Sequence, residues 1–211
     1  TIIVVPGANG KVDRAYIDSI KSELEKFDMV VLQHEIPLET VHYVIEFCYE
    51  KGIKIVLNPA PAAAVPMEII DKVTYVTPNE HEAVLIFGDE LSTEDLLRKY
   101  PEKLVITQGS RGVSTCLKDG QILNVPARKA QVVDTTGAGD TLNGAFSVQI
   151  AEGKAIEDAL AYANVAASLS TEKFGAQTGM PTAEEVETAL KILNGESVEK
   201  EIPVEMELIT K

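Results

Sequence analysis

Short apolar runs rich in β-branched residues alternate along this chain with longer segments whose apolar residues recur at helical spacing. No other property of the sequence restricts the fold as much. The runs fall at residues 1–5, 29–33, 53–57, 73–77 and 104–107. They are apolar throughout, as strands covered on both faces require. Between them, residues 12–27 and 38–51 carry the period of amphipathic helices. Strands separated by a helix of this length pair in parallel through a crossover. The spacing therefore predicts an α/β protein with helices on both faces of a largely parallel sheet.

Two departures from that alternation are also predicted. Residues 113–117 and 121–125 flank Lys118, Asp119 and Gly120, a hairpin signal that predicts one antiparallel pair. After residue 140 the strands stop, and segments 140–151, 155–173 and 182–193 all read as helices. Residues 196–201 are polar and charged, so 196–211 reads as a tail with a late strand at 204–209, and 1–195 as one domain. The chain opens on an apolar strand with neither a methionine nor a polar lead-in, as a fragment would.

A chain of 211 residues is long enough for one sizeable core. At 45% hydrophobic and 25% charged it matches globular averages, and no apolar run reaches the length of a membrane-spanning helix. Neither a basic n-region nor a long h-region precedes the first strand, so the cytoplasm is the expected compartment. Cys48 and Cys116 lie far apart without ligand spacing and read as reduced, packed thiols. His34, His42 and His81 are scattered singly and carry no assigned chemistry. A formal charge of −14 argues against nucleic acid or anionic membrane as a partner. It still permits an anionic nucleotide where local amides, a lysine or metal ions supply positive potential.

The stretch VVDTTGAGDTLNGAF at 132–146 supplies such amides. It sits between a strand-like run and a helix expected to begin near Asp140, where unpaired N–H groups and the helix dipole favour an anion. Gly137 and Gly139 permit positive φ and remove side chains that would keep the anion away. A carboxylate in the same turn repels a resting phosphate, so Asp140 suits a base that takes a proton from an attacking hydroxyl. The alternative is that Asp140 caps its helix while the glycines shape a tight turn. A dinucleotide fingerprint is the weaker alternative, since the glycine spacing differs and no strand bearing an acidic residue follows about 20 positions later, and the lack of any G-x-x-x-x-G-K-[ST] excludes an ordinary P-loop.

The same stretch, as DTTGAGDTLNGAF, resembles the signature of the ribokinase-like (pfkB) family of carbohydrate kinases. The resemblance extends through LNPAPA at 57–62, TPNEHE at 77–82, TQGSRG at 107–112 and GAQ at 175–177, with QHEIP at 33–37 similar to its ribose-phosphorylating members. It implies a three-layer α/β/α fold and transfer of the ATP γ-phosphoryl group to a sugar hydroxyl, with ribose O5 as the implied acceptor. Kinases of fructose, nucleosides or ketodeoxygluconate share these motifs. A non-catalytic nucleotide- or sugar-binding module is the alternative outside the enzyme class.

The resemblance also implies roles. Asp140 becomes the base and the amides of Gly137, Ala138 and Gly139 an anion hole for the transferred group. Asn79 and Glu82 match an N-x-x-E motif that places Mg2+ and phosphate through water. Asn58, Thr107, Gly109 and Gly112 are implied at the ATP site, with Asn164 bordering the adenine. Asp134 and Thr136, with Gly175 and Thr178, are implied around a K+ ion, and Glu35 at the sugar. The family's N-terminal sugar-gripping portion and β lid are not among these residues, and GANGK at 7–11 is only a partial echo. Their absence is expected to leave an exposed sheet edge that favours association, a homodimer included.

Overall fold

The structure is a computed structural model and describes residues 5–198. Eight helices and six strands follow one another in the described residues. Helix α1 (Arg14–Leu24) leads into β1 (Met29–Gln33), α2 (Leu38–Lys51), β2 (Lys54–Asn58), α3 (Met67–Lys72) and β3 (Tyr75–Val76). Then come α4 (Glu80–Phe87), α5 (Thr93–Lys99), β4 (Val105–Thr107), β5 (Val113–Cys116) and β6 (Ile122–Val125). The chain ends helically with α6 (Ala138–Ala151), α7 (Ile156–Ser170) and α8 (Ala183–Leu193). The strand expected at 1–5 lies almost wholly outside the described residues, and the one expected at 204–209 lies entirely outside them.

Strands β1, β2 and β3 pair in parallel, Gln33 opposite Asn58 at the end of the first pair. Single parallel bridges, Val76 to Leu104 and Asn79 to Thr107, continue the sheet into β4. The hairpin predicted between β5 and β6 is present, and β4 and β5 are antiparallel as well. That second antiparallel pair was not expected from the sequence. Only residues 108–112 join those strands, far too few for the crossover that a parallel pair needs.

Alternation along the strands divides the core into two. Ile55, Leu57, Leu104 and Ile106 pack with α2, α3 and α5 on one face. Val56, Val105 and Val113 pack with Leu142, Phe146 and Ile150 of α6 and Ala159, Leu160 and Ala163 of α7 on the other. The result is the expected three layers. Phe146 is fully buried and meets Tyr75 edge-on, ring centroids 5.1 Å apart at 87°. The small residues of α7 let it lie close to α6, and α8 packs outside α7 through Val186.

Capping sets the helix ends, and this is where sequence ranges and structure part. Helix α1 starts two residues later than its apolar pattern because the Asp13 side chain accepts from the Tyr16 N–H at 2.9 Å. Helix α2 stops at Gly52, whose φ of 72° is the left-handed cap that glycine adopts without strain. Helix α6 begins at Ala138, with Gly137 as its cap at φ 81°. Asp140 is therefore a first-turn residue and does not cap the helix. Gly139 is helical and has no positive φ.

Candidate active site

Four strand ends and one helix start converge at the carboxyl edge of the sheet, where open α/β folds bind ligands. Gln33 closes β1 and Asn58 closes β2. Thr77 and Asn79 follow β3, and Thr107 closes β4. The first turn of α6 lies over them. Gln33 Nε2 donates to Asp140 Oδ1 at 2.6 Å and stands 3.4 Å from Asn58 Oδ1. Asn58 Nδ2 donates to the Thr77 carbonyl at 2.9 Å. The Thr77 hydroxyl donates to Asn143 Oδ1 at 2.6 Å, and Asn143 Nδ2 returns to the Gly139 carbonyl at 2.9 Å. The base candidate and its glycine turn are thus tied to three strands by side chains.

No side chain caps α6. The Gly137 carbonyl accepts from the Thr141 N–H at 2.8 Å and its hydroxyl at 2.9 Å, which opens the helix. The Ala138 N–H, which the resemblance implied in the anion hole, instead turns back to the Thr135 carbonyl at 3.2 Å. Among the described residues the N–H groups of Gly137, Gly139 and Asp140 have no acceptor, so these are the donors available to an anion at the dipole's positive end. A Cβ on Gly137 would lie 3.2 Å from Cα of Ala176, so glycine here also admits the 175–178 loop.

That loop meets Asp134. Oδ1 accepts from the Thr136 N–H at 2.9 Å and Oδ2 from the Gly175 N–H at 3.0 Å. The Thr136 hydroxyl and these two amides hold the Asp134 carboxyl below the ordinary carboxylate range. The Thr178 hydroxyl donates to the Phe174 carbonyl and lies 3.4 Å from that of Gly175. Asp134, Thr136, Gly175 and Thr178 therefore share one neighbourhood of hard oxygen donors around a permanent anion, a set that fits a K+ ion. Upstream, the Thr171 carbonyl accepts from the N–H groups of Val133 and Asp134, and Arg128 grips Glu172 with both guanidinium nitrogens at 2.9 and 3.0 Å. The strap entering α6 is pinned to the end of α7.

Asn79 and Glu82 form a reciprocal cap on α4: Glu82 N–H to Asn79 Oδ1 at 2.9 Å, Asn79 N–H to Glu82 Oε2 at 2.8 Å. Glu82 is buried, and Oε1 makes no hydrogen bond within the described residues. No cluster of three or more His, Cys, Asp or Glu able to hold a metal occurs among the described residues. The pair therefore fits Mg2+ only through intervening water.

The remaining predicted residues are placed less centrally. The Thr107 N–H donates to the Pro78 carbonyl at 2.9 Å, which joins it to the Asn79 turn. Gly109 and Gly112 bracket a 3-10 turn, both at positive φ. Asn164 is buried, and its amide donates to the carbonyls of Val125 and Pro126 at 3.3 and 2.7 Å. It secures the end of the hairpin. Glu35 is exposed in the turn beyond Gln33 and makes no hydrogen bond to the cluster. Sequence reading missed Gln33, Thr77 and Asn143. Gln33 and Thr77 end apolar strands, and Asn143 lies three residues after Asp140, so their positions were the available signal.

The profile of the pfkB family carbohydrate kinases matches residues 1–183. The chain belongs to that family. Among family members, the ribokinase of Bacillus subtilis (strain 168) is 51% identical over 190 residues, covering 90% of this chain and 64% of the relative. The ribokinase of Lactococcus lactis subsp. lactis (strain IL1403) is 47% identical over 193 residues, covering 91% of this chain and 63% of the relative. The solved ribokinase of Thermotoga maritima superposes with a TM-score of 0.80 at 36% identity, over 90% of this chain and 65% of that one. The Arabidopsis thaliana ribokinase complexed with ribose and ATP gives 0.77 at 29% identity, over 90% and 65%. This chain thus spans just under two thirds of the length of these pfkB relatives.

Proposed function

We propose that this chain carries the nucleotide-binding and catalytic part of an ATP-dependent sugar kinase acting on ribose. The observation that carries the reading is the Asp140 carboxylate, held by Gln33 on the open first turn of α6 beside three N–H groups that have no acceptor among the described residues. Its identity to ribokinases, up to 51% among the relatives above, supports ribose as acceptor.

Asp140 takes the proton of the acceptor hydroxyl as its oxygen attacks the γ-phosphorus. The amides of Gly137, Gly139 and Asp140 meet the charge on the moving group, a contribution that grows as water is excluded. Asn58, Asn79, Glu82 and the Thr107–Gly112 turn hold the nucleotide side, and Glu35 the sugar. ATP would supply the phosphoryl group, a Mg2+ ion held through water by Asn79 and Glu82 would supply positive charge beside the phosphates, and a K+ ion held by Asp134, Thr136, Gly175 and Thr178 would steady the turn. The reading places the enzyme in the cytoplasm. Among the described residues no helix is long and apolar enough to cross a membrane. It also includes a homodimer, for which the edge of β1, unpaired among the described residues, and the exposed Val31 are available.

Protein containing the whole of this chain should convert ribose and MgATP to ribose 5-phosphate and ADP, read by phosphorus NMR. Failure to phosphorylate ribose, fructose, ketodeoxygluconate or any nucleoside would reject the kinase reading. Potassium chloride should raise the melting temperature above that in choline chloride at equal ionic strength. Asp134→Ala should erase that difference; a difference that survives would remove Asp134 from the cation site.

A further inference from the structure

We infer that Gln33 is the positioning residue for the Asp140 carboxylate, the terminal link of an amide chain that starts on the Thr77 backbone just after β3. The inference rests on the reading of Asp140 as the base. Asp140 is exposed on the first turn of its helix, where a lone carboxylate samples several rotamers. Gln33, 107 residues earlier, selects one by donating to Oδ1 at 2.6 Å.

The polarity of that chain follows from its fixed end. A backbone carbonyl only accepts, so Asn58 turns its NH2 to the Thr77 carbonyl and its Oδ1 outward. Facing Asn58 Oδ1, Gln33 presents its own NH2. One hydrogen points to Asn58 and the other to Asp140, whose ionised carboxylate can only accept. Every link then has a donor facing an acceptor, and the reverse orientation of Gln33 would set oxygen against oxygen at both contacts. This leaves Oδ2 of Asp140 without a partner among the described residues. The acceptor O–H bond breaks to give its proton to Oδ2, and the freed electron pair forms the new O–P bond. The bond from the γ-phosphorus to the bridging oxygen breaks, and its electron pair leaves on ADP.

The short bond of this side chain is to the Asp140 carboxylate, its contact with Asn58 is long at 3.4 Å, and Asn58 keeps its bond to the Thr77 carbonyl without it, so its effect should fall mainly on turnover. Gln33→Met keeps the length and removes the donor. We expect kcat for ribose phosphorylation to fall roughly 10- to 100-fold, the range of a hydrogen bond to a charged group. KM for ATP should stay within about twofold, the scatter of a surface change. Gln33→Asn, which keeps a donor on a shorter arm, should retain more activity than Gln33→Met. Gln33→Glu cannot donate when ionised and sets a second negative charge beside the first, so its loss should be at least as large. It also serves as the test should the Met variant fail to fold.

Native kcat in Gln33→Met or Gln33→Glu would overturn the inference. So would equal losses in the Met and Asn variants accompanied by lowered melting temperatures, which would mark a packing role. Asp140→Asn, assayed in parallel, separates the two levels. If it is inactive while the Gln33 variants are normal, the positioning role fails and the base stands. If it is fully active, the reading of the base itself fails.

Discussion

Asp140→Asn is expected to lower kcat for sugar phosphorylation by roughly 10²- to 10⁴-fold, the usual contribution of a positioned general base. Asparagine suits the test because its side-chain oxygen can still accept from Gln33 Nε2, so the local arrangement survives and only the proton acceptor is lost. Nucleotide binding should persist, since the N–H groups of Gly137 and Gly139 are unchanged. Calorimetry with a non-hydrolysable ATP analogue, run beside steady-state kinetics, separates the two quantities. A parallel collapse of nucleotide affinity would place Asp140 in binding and not in proton transfer.

The largest structural effect is expected at Gly112. Its φ of 99° is one that residues with a side chain rarely adopt, and an added Cβ would stand 2.0 Å from the Val125 carbonyl oxygen and 2.7 Å from the Ala127 nitrogen. Both groups are backbone and have no rotamer by which to yield. Gly112→Ala must therefore push β6 away from the turn and pull Val125 and Pro126 from the Asn164 amide that holds them. A cost of about 3–5 kcal/mol follows from backbone strain combined with a clash. For a domain of this size that is a fall in melting temperature of roughly 10 °C. Gly109→Ala is the control: its φ is 57° with open space around the added carbon, so strain acts alone and the drop should be smaller. Equal drops would show that the clash at Gly112 relaxes.

The two glycines also show what the sequence could and could not announce. The resemblance implied TQGSRG as part of the ATP site, and nothing local distinguished a glycine required for close packing from one required for backbone angle. The obstructing atoms belong to residues 125–127, which sequence spacing does not place opposite residue 112. The strands were legible because their apolar runs are short and β-branched, and the helices because their period is clear. Helix starts were less so, since Asp13 and Gly137 act through hydrogen bonds and φ angles that periodicity does not carry. In the site, Asp140 and its glycines stood out through their unusual neighbourhood. Gln33, Thr77 and Asn143 did not, because a lone amide or hydroxyl at a strand end or on a helix has no distinctive spacing. What makes them matter is the set of partners they meet across the sheet.

Asn79 and Glu82 illustrate a double meaning. The reciprocal cap on α4 is complete, so the motif has a structural reason to exist before any ligand is considered. Oε1 of that carboxylate has no hydrogen bond among the described residues, which is what a water-bound cation would need.

The amide chain from Thr77 through Asn58 to Gln33 ends on a residue of α6, and Asn143 of the same helix closes the circuit back to Thr77. The strand ends of this circuit, Gln33, Asn58 and Thr77, are all synthesised before the helix that carries Asp140 and Asn143. The acid and the amides arrive together with the segment that locks them in place.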